Sequence, residues 1–289
     1  MASISQLNVY PIKSCAGIVL ESARLLEHGL QYDRHWMLVD ARGRFVTQRQ
    51  LPQLALVTTA LCDGELIVDA PGRAPLHTPL DPSRLAHAER IDATVWSDTV
   101  AALDTGEQSA RWFSDFAGVP LRLIRFDPDV ERTASLKWTG GAISPLRFAD
   151  GYPVLVSSEA SLDDLNARLA KRGVDAIPMN RFRPNLVLSG VDAYEEDYVE
   201  TLRIGVEGGE VVLRLVKPCT RCPIPAVDQA TGAPDPRWPN EPTDALSTYR
   251  ADPRVGGGIT FGQNAIVIAG DGSSISVGAD VEVDLRFAD

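Results

Sequence analysis

The sequence predicts a mainly β, α+β protein in two parts: a β-barrel-like domain over residues 1–122 and a sheet-rich domain with a few helices over residues 123–289. Three observations carry this expectation. With 289 residues, 44% of them hydrophobic, the chain is long and apolar enough for two ordinary domains with buried cores. Short runs of alternating apolar and polar residues, separated by turn residues, fill the first 105 positions. Beyond them, such runs are interleaved with stripes at helical spacing.

In chain order, strands are predicted at Ile4 to Tyr10, Ile18 to Leu26, Trp36 to Asp40, Phe45 to Gln48, Leu54 to Leu61, Leu66 to Asp69 and Thr94 to Leu103, the last interrupted near Ser97-Asp98. Ala41-Arg42-Gly43 and Cys62-Asp63-Gly64 place glycine where a hairpin uses positive φ. Short strands punctuated in this way read as a barrel or sandwich. A helix is predicted over Gln108 to Phe116, then a strand over Leu121 to Phe126, with the domain boundary nearby.

In the second half Ser161 can cap a helix striped by Leu162, Leu165 and Leu169. Its charges follow the dipole, with Asp163 and Asp164 early and Lys171 and Arg172 late, and Gly173 supplies the stop. Strands are predicted at Asn185 to Leu188, Thr201 to Gly205, Val211 to Val216, Ala265 to Ala269 and Val281 to Phe287, with a helix over Pro242 to Arg250. Val255-Gly256-Gly257-Gly258 reads as a flexible hinge and not as a phosphate loop, because no Gly-Lys-Ser/Thr follows it.

Composition narrows the function. No run of about 18 apolar residues is present to span a bilayer, and Met1 to Leu20 lacks the blocks of a signal peptide, so a cytoplasmic location is expected. Four cysteines at irregular spacing argue for reduced thiols, not a disulfide framework. A net charge of −11 disfavours a broad nucleic-acid surface, which needs clustered Lys and Arg.

Against that acidic background, local basic clusters carry information. The densest signal is Lys217-Pro218-Cys219-Thr220-Arg221-Cys222-Pro223-Ile224-Pro225-Ala226-Val227-Asp228, where a strand-like run ends beside two thiols and a guanidinium. As half of a zinc site it lacks two matching ligands. As a thioredoxin-like dithiol it conflicts with Pro223 and Pro225, which forbid a regular helix. Plain packing of both thiols stays open, as does one functional thiolate, Cys222, activated by Arg221 or by a bound metal. Lys13, Arg34 and Arg183 lie at strand ends or in loops, where binding groups concentrate. Each can be an ordinary surface charge. Together they can clamp an anion such as phosphate, and Pro184 stiffens the loop that carries Arg183.

These segments, in this order, resemble MOSC-domain proteins that carry a MOSC N-terminal β-barrel, the group that includes the mitochondrial amidoxime-reducing component. The resemblance runs through Tyr10-Pro11-Ile12-Lys13-Ser14-Cys15-Ala16-Gly17, Asp33-Arg34-His35-Trp36, Phe148-Ala149-Asp150-Gly151-Tyr152-Pro153, Ser161-Leu162-Asp163-Asp164-Leu165-Asn166, Arg181-Phe182-Arg183-Pro184-Asn185, Cys219-Thr220-Arg221-Cys222 and Phe261-Gly262-Gln263-Asn264. It implies a molybdenum cofactor, molybdenum-molybdopterin, held between the two domains. Cys222 would be the metal ligand and a catalytic residue. Lys13, Ser14, Arg34 and Arg183 would hold the pterin and its phosphate, helped by Thr220 and the backbone around Gly151 and Tyr152. Asp228, counted with Cys222 among the catalytic residues, would orient the cysteine loop or a metal-bound solvent, or be a structural carboxylate bonded to nearby N–H groups. Thiolate suits a soft metal and guanidinium suits phosphate. The family's small hydroxylated residues after the cysteine are replaced here by Pro223-Ile224-Pro225-Ala226, which removes hydroxyl donors near the expected metal.

The resemblance further implies an oxidoreductase that reduces N-hydroxylated compounds to their amino forms. The chain has no cysteine set for an iron–sulfur cluster, so a separate reductase or ferredoxin-like electron donor is expected. A sulfur or cofactor carrier using Cys222 without turnover is the alternative, and a metal-free binding module a third reading. Thr133 to Leu146 would cover the site entrance or be an uninvolved surface loop.

Overall fold

The computed structural model describes residues 1–286, and within it a closed barrel of seven strands is the central element. Its order is Val154–Ser158, Leu186–Ser189, Ala2–Val9, Asp280–Leu285, Val199–Val206, Gly209–Thr220 and Gly258–Ala269, which pairs back onto the first strand with Val154 opposite Ala265. The N-terminal strand therefore completes a barrel whose other strands all come from the second half. Alternation puts Ile4, Leu7, Leu188, Leu202, Ile204, Leu213 and Leu215 in one buried cluster. At about 1.5–3 kcal/mol for each fully buried aliphatic side chain, that cluster fixes the register, since a slip by one residue would turn each strand's inward side chains to water.

Residues 36–126 build a second body. A four-stranded antiparallel sheet runs Trp36–Val39, Arg122–Phe126, Asp98–Asp104 and Arg90–Val95, and a three-stranded one runs Thr58–Cys62, Glu65–Asp69 and Leu76–Pro79. Helix Glu107–Ala117 buries Trp112 and Phe113 against Leu121, Leu123 and Leu76. The hairpin glycines behave as their sequence suggests, with φ of 72° at Gly43 and 76° at Gly64.

Several local expectations are corrected. Phe45 to Gln48 is not a ladder strand: Phe45 makes an isolated bridge to Val39, while the turn Thr47–Leu51 bends the chain away. Leu54 lies in a 3-10 turn, Pro52–Leu56, opened by proline, so the strand starts only at Thr58. The second-half helix spans Glu159–Lys171 and is capped by Ser158, whose hydroxyl accepts the Ser161 N–H, so Ser161 lies inside the first turn. Gly173 does terminate it, at φ 76°. The helix predicted over 242–250 is confined to Thr243–Ser247. Val255 to Gly258 is not a free hinge: the left-handed Gly256 and Gly257 close a turn joining the paired strands Ala251–Asp252 and Gly258–Ala269. The last strand is Asp280–Leu285, and Phe287 of the predicted strand lies outside the described residues. Among the described residues, no helix is long and apolar enough to cross a membrane.

Two imidazoles pack side by side with their Nε2 atoms buried. His28 and His35 have ring centroids 5.3 Å apart, and neither Nε2 has a hydrogen-bond partner. Burial holds both below the ordinary histidine value, His28 at about 4. An unfolded chain takes up protons near pH 6.5 that the folded state refuses, so stability is complete above that value and falls as the pH drops toward 4. At about 1.4 kcal/mol per pH unit, His28 alone contributes a loss of about 3 kcal/mol by pH 4. His28→Phe should flatten this limb in denaturant unfolding measured from pH 7 to pH 4.5. An unchanged slope would exclude His28 as its source.

Candidate functional site

The site is a cleft where the first-body loops meet one end of the barrel, and each of its positively charged groups is placed by an identifiable local structure. The turn Ile12–Cys15 follows strand Ala2–Val9 and is pinned by the Lys13 N–H donating to Trp36 O at 2.8 Å. Ser14 sits in it at φ 69°. Arg34 and Arg183 also adopt left-handed backbone, at φ 51° and 58°. Three non-glycine residues of one cleft in this region store strain of about 1–3 kcal/mol each, which persists only where surrounding structure imposes it. Here it does: the Arg34 N–H donates to Tyr10 O at 2.8 Å, and the Asp33 carboxylate accepts the Tyr10 N–H at 2.8 Å.

Phe182 fixes the Arg181–Arg183 segment. Its ring stacks on Phe261 at 3.9 Å in a core shared with Leu165 and Leu169. The arginines on either side diverge. Arg183 lines the cleft with its guanidinium 4.3 Å from the Tyr10 ring centroid, and Arg34 approaches the same ring at 4.3 Å. Burial pushes Arg183 down to about 10, reinforced by repulsion from Arg34, and its Nη2 is buried without a partner. Arg34 donates twice to Asp33, at 2.7 and 2.5 Å. Lys13 Nζ donates to Phe148 O at 2.8 Å and to Asp150 Oδ1 at 2.6 Å, and burial lowers its pKa while Asp150 pulls it back.

All eight residues expected at the cofactor, Lys13, Ser14, Arg34, Gly151, Tyr152, Arg183, Thr220 and Cys222, line this one cleft. Cys222 lies just beyond strand Gly209–Thr220, whose end is held by the Arg221 N–H donating to Ile259 O at 2.8 Å. Pro223 and Pro225 restrict the chain beyond Cys222 to a 3-10 turn, Ile224–Ala226, in place of a regular helix.

Two expectations are corrected. Arg221 does not serve Cys222: its Nη1 lies 3.1 Å from Cys219 Sγ and its Nη2 donates to Phe182 O at 2.7 Å. Asp228, expected among the catalytic residues, does not line the cleft. Its carboxylate accepts Arg181 Nη2 at 2.8 Å and the N–H groups of Ala230 and Thr231, while Arg181 Nη1 donates to Pro225 O and Ala226 O. Asp228 thus holds the cysteine loop from behind, which makes it a positioning residue. Thr133 to Leu146 contributes nothing to the lining either. It is tied down by the Ala134 N–H to Ser144 O at 2.9 Å and by Arg214 donating to Thr139 O, with Trp138 packed beside Tyr152.

Sequence reasoning missed Asp150, Tyr10, Trp96 and Arg49. Asp150 accepts Trp96 Nε1 at 3.0 Å as well as Lys13, and Arg49 stacks 4.5 Å over the half-exposed Trp96 ring at the cleft mouth. Asp150 and Tyr10 stood within the motifs. Trp96 and Arg49 had no sequence signal, because only the fold brings them there.

Among the described residues no three His, Cys, Asp or Glu side chains converge as metal ligands. A metal bound here through Cys222 must bring its other ligands with it. The unpartnered Arg183 Nη2, the paired Lys13 and Arg34 and the hydroxyls of Ser14 and Thr220 suit a phosphate-bearing polar group, so the residues present fit a pterin-borne metal.

Known proteins are similar to this chain in sequence. Residues 1–120 match the MOSC N-terminal beta barrel domain and residues 144–282 match the MOSC domain. The chain is 35% identical over 257 residues to mitochondrial amidoxime-reducing component 1 of Mus musculus, covering 86% of this chain and 72% of that protein. It is 34% identical over 263 residues to component 2 of Bos taurus, covering 86% and 73%, and 33% identical over 262 residues to component 1 of Homo sapiens, covering 86% and 72%. With both domain matches in order along a barrel-centred fold, the chain belongs to the MOSC-domain family of the amidoxime-reducing components.

Proposed function

We infer that this protein is a molybdenum-cofactor-dependent oxidoreductase that reduces N-hydroxylated compounds to amines or amidines. The observation that carries the reading is the convergence on one cleft of a thiol, Cys222, with Lys13, Arg34 and the unpartnered Arg183. The names of the relatives supply the substrate class. For a hydroxylamine the balance is R–NHOH + 2 e⁻ + 2 H⁺ → R–NH₂ + H₂O. When bound, the molybdenum–pterin group supplies the two-electron chemistry.

The chain's own residues divide the remaining work. Lys13, Arg34 and Arg183 bind the phosphate and orient the pterin, with Ser14, Thr220 and the backbone at Gly151 and Tyr152 supplying directional hydrogen bonds. Cys222 supplies the protein thiolate. Arg181 and Asp228 keep the Pro223–Ala226 turn, and with it Cys222, in position. Electrons come from a separate donor protein. Of the other cysteines, Cys15 is sealed in the core and Cys62 is exposed on the distant hairpin Thr58–Asp69, so the chain's four thiols do not assemble a cluster.

Two variants test the division. Cys222→Ala, purified from a host that makes the cofactor, should lose reduction of an N-hydroxylated substrate with an artificial reductant, while the cation clamp keeps molybdenum detectable by elemental analysis and the thermal midpoint stays within a few degrees. Retained turnover would overturn the assignment. A persulfide on wild-type Cys222 by mass spectrometry, without reductase activity, would instead make the protein a sulfur carrier. Arg183→Ala should weaken cofactor retention by about 1.5–3 kcal/mol of charged hydrogen bonding, or roughly 10- to 150-fold. Unchanged occupancy would reduce Arg183 to a structural residue.

A further inference from the structure

A second cavity lies on the opposite side of the Tyr32–Trp36 and Arg147–Phe148 segments from the cleft, and nothing in the proposed chemistry uses it. Arg125, Arg147, His35, Tyr32 and Gln31 line it together with Asp81. Its two guanidiniums are not neutralised: among the described residues, neither Arg125 nor Arg147 has a carboxylate within salt-bridge distance. Arg125 is 4% exposed, donates only to the backbone Pro79 O at 2.9 Å, and lies 4.7 Å over the Trp36 ring. The Arg147 guanidinium packs 4.9 Å over Phe126 and has no hydrogen-bond acceptor among the described residues.

The His35 ring forms part of the wall, with its Nε2 buried and without a partner. Burial depresses all three groups, and they also repel one another, Arg125 and Arg147 each acting on His35 and Arg147 on Arg125. The nearby carboxylates do not resolve this. Asp81 caps the turn Pro82–Leu85, accepting Ser83 N–H at 2.8 Å, and it attracts Arg125, as Glu27 attracts Arg147, only from beyond pairing distance. Leu80, Pro82, Phe126 and Pro128 supply apolar walls that strengthen any charge–charge attraction inside.

We propose that this cavity is a binding site for a small oxyanion, a phosphate or carboxylate group, held by the Arg125 and Arg147 guanidiniums beside the His35 ring. Donors without a protein partner gain most when an acceptor arrives, and beyond the Arg125 bond to Pro79 O neither guanidinium has one. The site also shares walls with the cleft. The Phe148 N–H donates to Arg34 O and the Phe126 N–H to His35 O, both at 2.9 Å, while Phe148 O accepts Lys13 Nζ. An oxyanion between Arg147 and His35 therefore braces, from behind, the two segments that present Arg34 and Lys13.

Calorimetric titration with inorganic phosphate at pH 7 tests this, using Arg183→Gln as the control for phosphate entering the cleft. The expected result is a phosphate-binding phase in wild type that is retained in Arg183→Gln and weakened at least tenfold in Arg147→Gln, with the His35 imidazole NMR signals shifting as phosphate is added. Competition by acetate would identify a carboxylate ligand, and its failure a phosphate ligand. Absence of binding to wild type, affinity unchanged in Arg147→Gln, or binding lost in Arg183→Gln alone would overturn the proposal. Arg147 is partly exposed and forms no hydrogen bond to lose, so its substitution leaves the fold available to be tested.

Discussion

The arrangement of the cleft depends on positive charge taken out of water without a full complement of negative charge. Lys13, Arg34, Arg183 and Arg221 all face it, while the carboxylates in direct contact with them are Asp33 and Asp150. Stripping a guanidinium of water costs several kcal/mol unless hydrogen bonds replace the loss, and Arg183 Nη2 has none. The fold offsets part of this with the face of Tyr10, which two guanidiniums approach at 4.3 Å, since a ring quadrupole attracts cations without neutralising them. The remainder is an attraction for an anionic ligand.

Holding such a site requires both bodies of the molecule, and the barrel provides the link. Strand Ala2–Val9 is sewn between Leu186–Ser189 and Asp280–Leu285, so Lys13 and Ser14, a few residues later, emerge at the end of the barrel that also carries Arg183. On the other wall, Phe182 works as a fulcrum. With its ring locked against Phe261, the residues before and after it point apart, Arg183 toward the cleft and Arg181 toward the back of the cysteine turn. One buried aromatic thus sets the anion clamp and the support of Cys222 together. A substitution of Phe261, which backs Phe182 from the core, would reach the chemistry without touching a cleft residue.

Legibility in the sequence divides by range. The strand alternation, the glycine turns and the Gly173 stop are local features, and apart from Phe45 to Gln48 they hold to within a few residues. The cofactor-facing residues were legible too, because they occur in loop motifs where prolines and special backbone leave their mark, as at Arg183-Pro184. The support that Asp228 gives the cysteine loop was legible but its partner Arg181, 47 residues away, was not, and Arg221 was misread because one step along a strand end decides which of two sulfurs it meets. The Lys13–Asp150 contact spans 137 residues and had no sequence signature at all. The capping serine was misplaced by a narrower margin: Ser158 and Ser161 are both hydroxyls at a helix start, and only the chain direction out of strand Val154–Ser158 selects the first.

In the proposed reading, the lone protein ligand has a physical consequence. A single thiolate cannot retain a metal against solvent by itself, and no second or third side-chain ligand converges on Cys222 among the described residues. Retention must then come from the far end of the cofactor, where Lys13, Arg34 and Arg183 act on a phosphate, while Cys222 governs the electronic character and orientation of the metal. Affinity and reactivity are in this way assigned to different residues of the same cleft. That separation also explains how the turn after Cys222 can carry Pro223-Ile224-Pro225-Ala226 in place of small hydroxylated residues. The cation clamp, which the substitution leaves untouched, still holds the cofactor, and the change falls on the surface that meets the substrate.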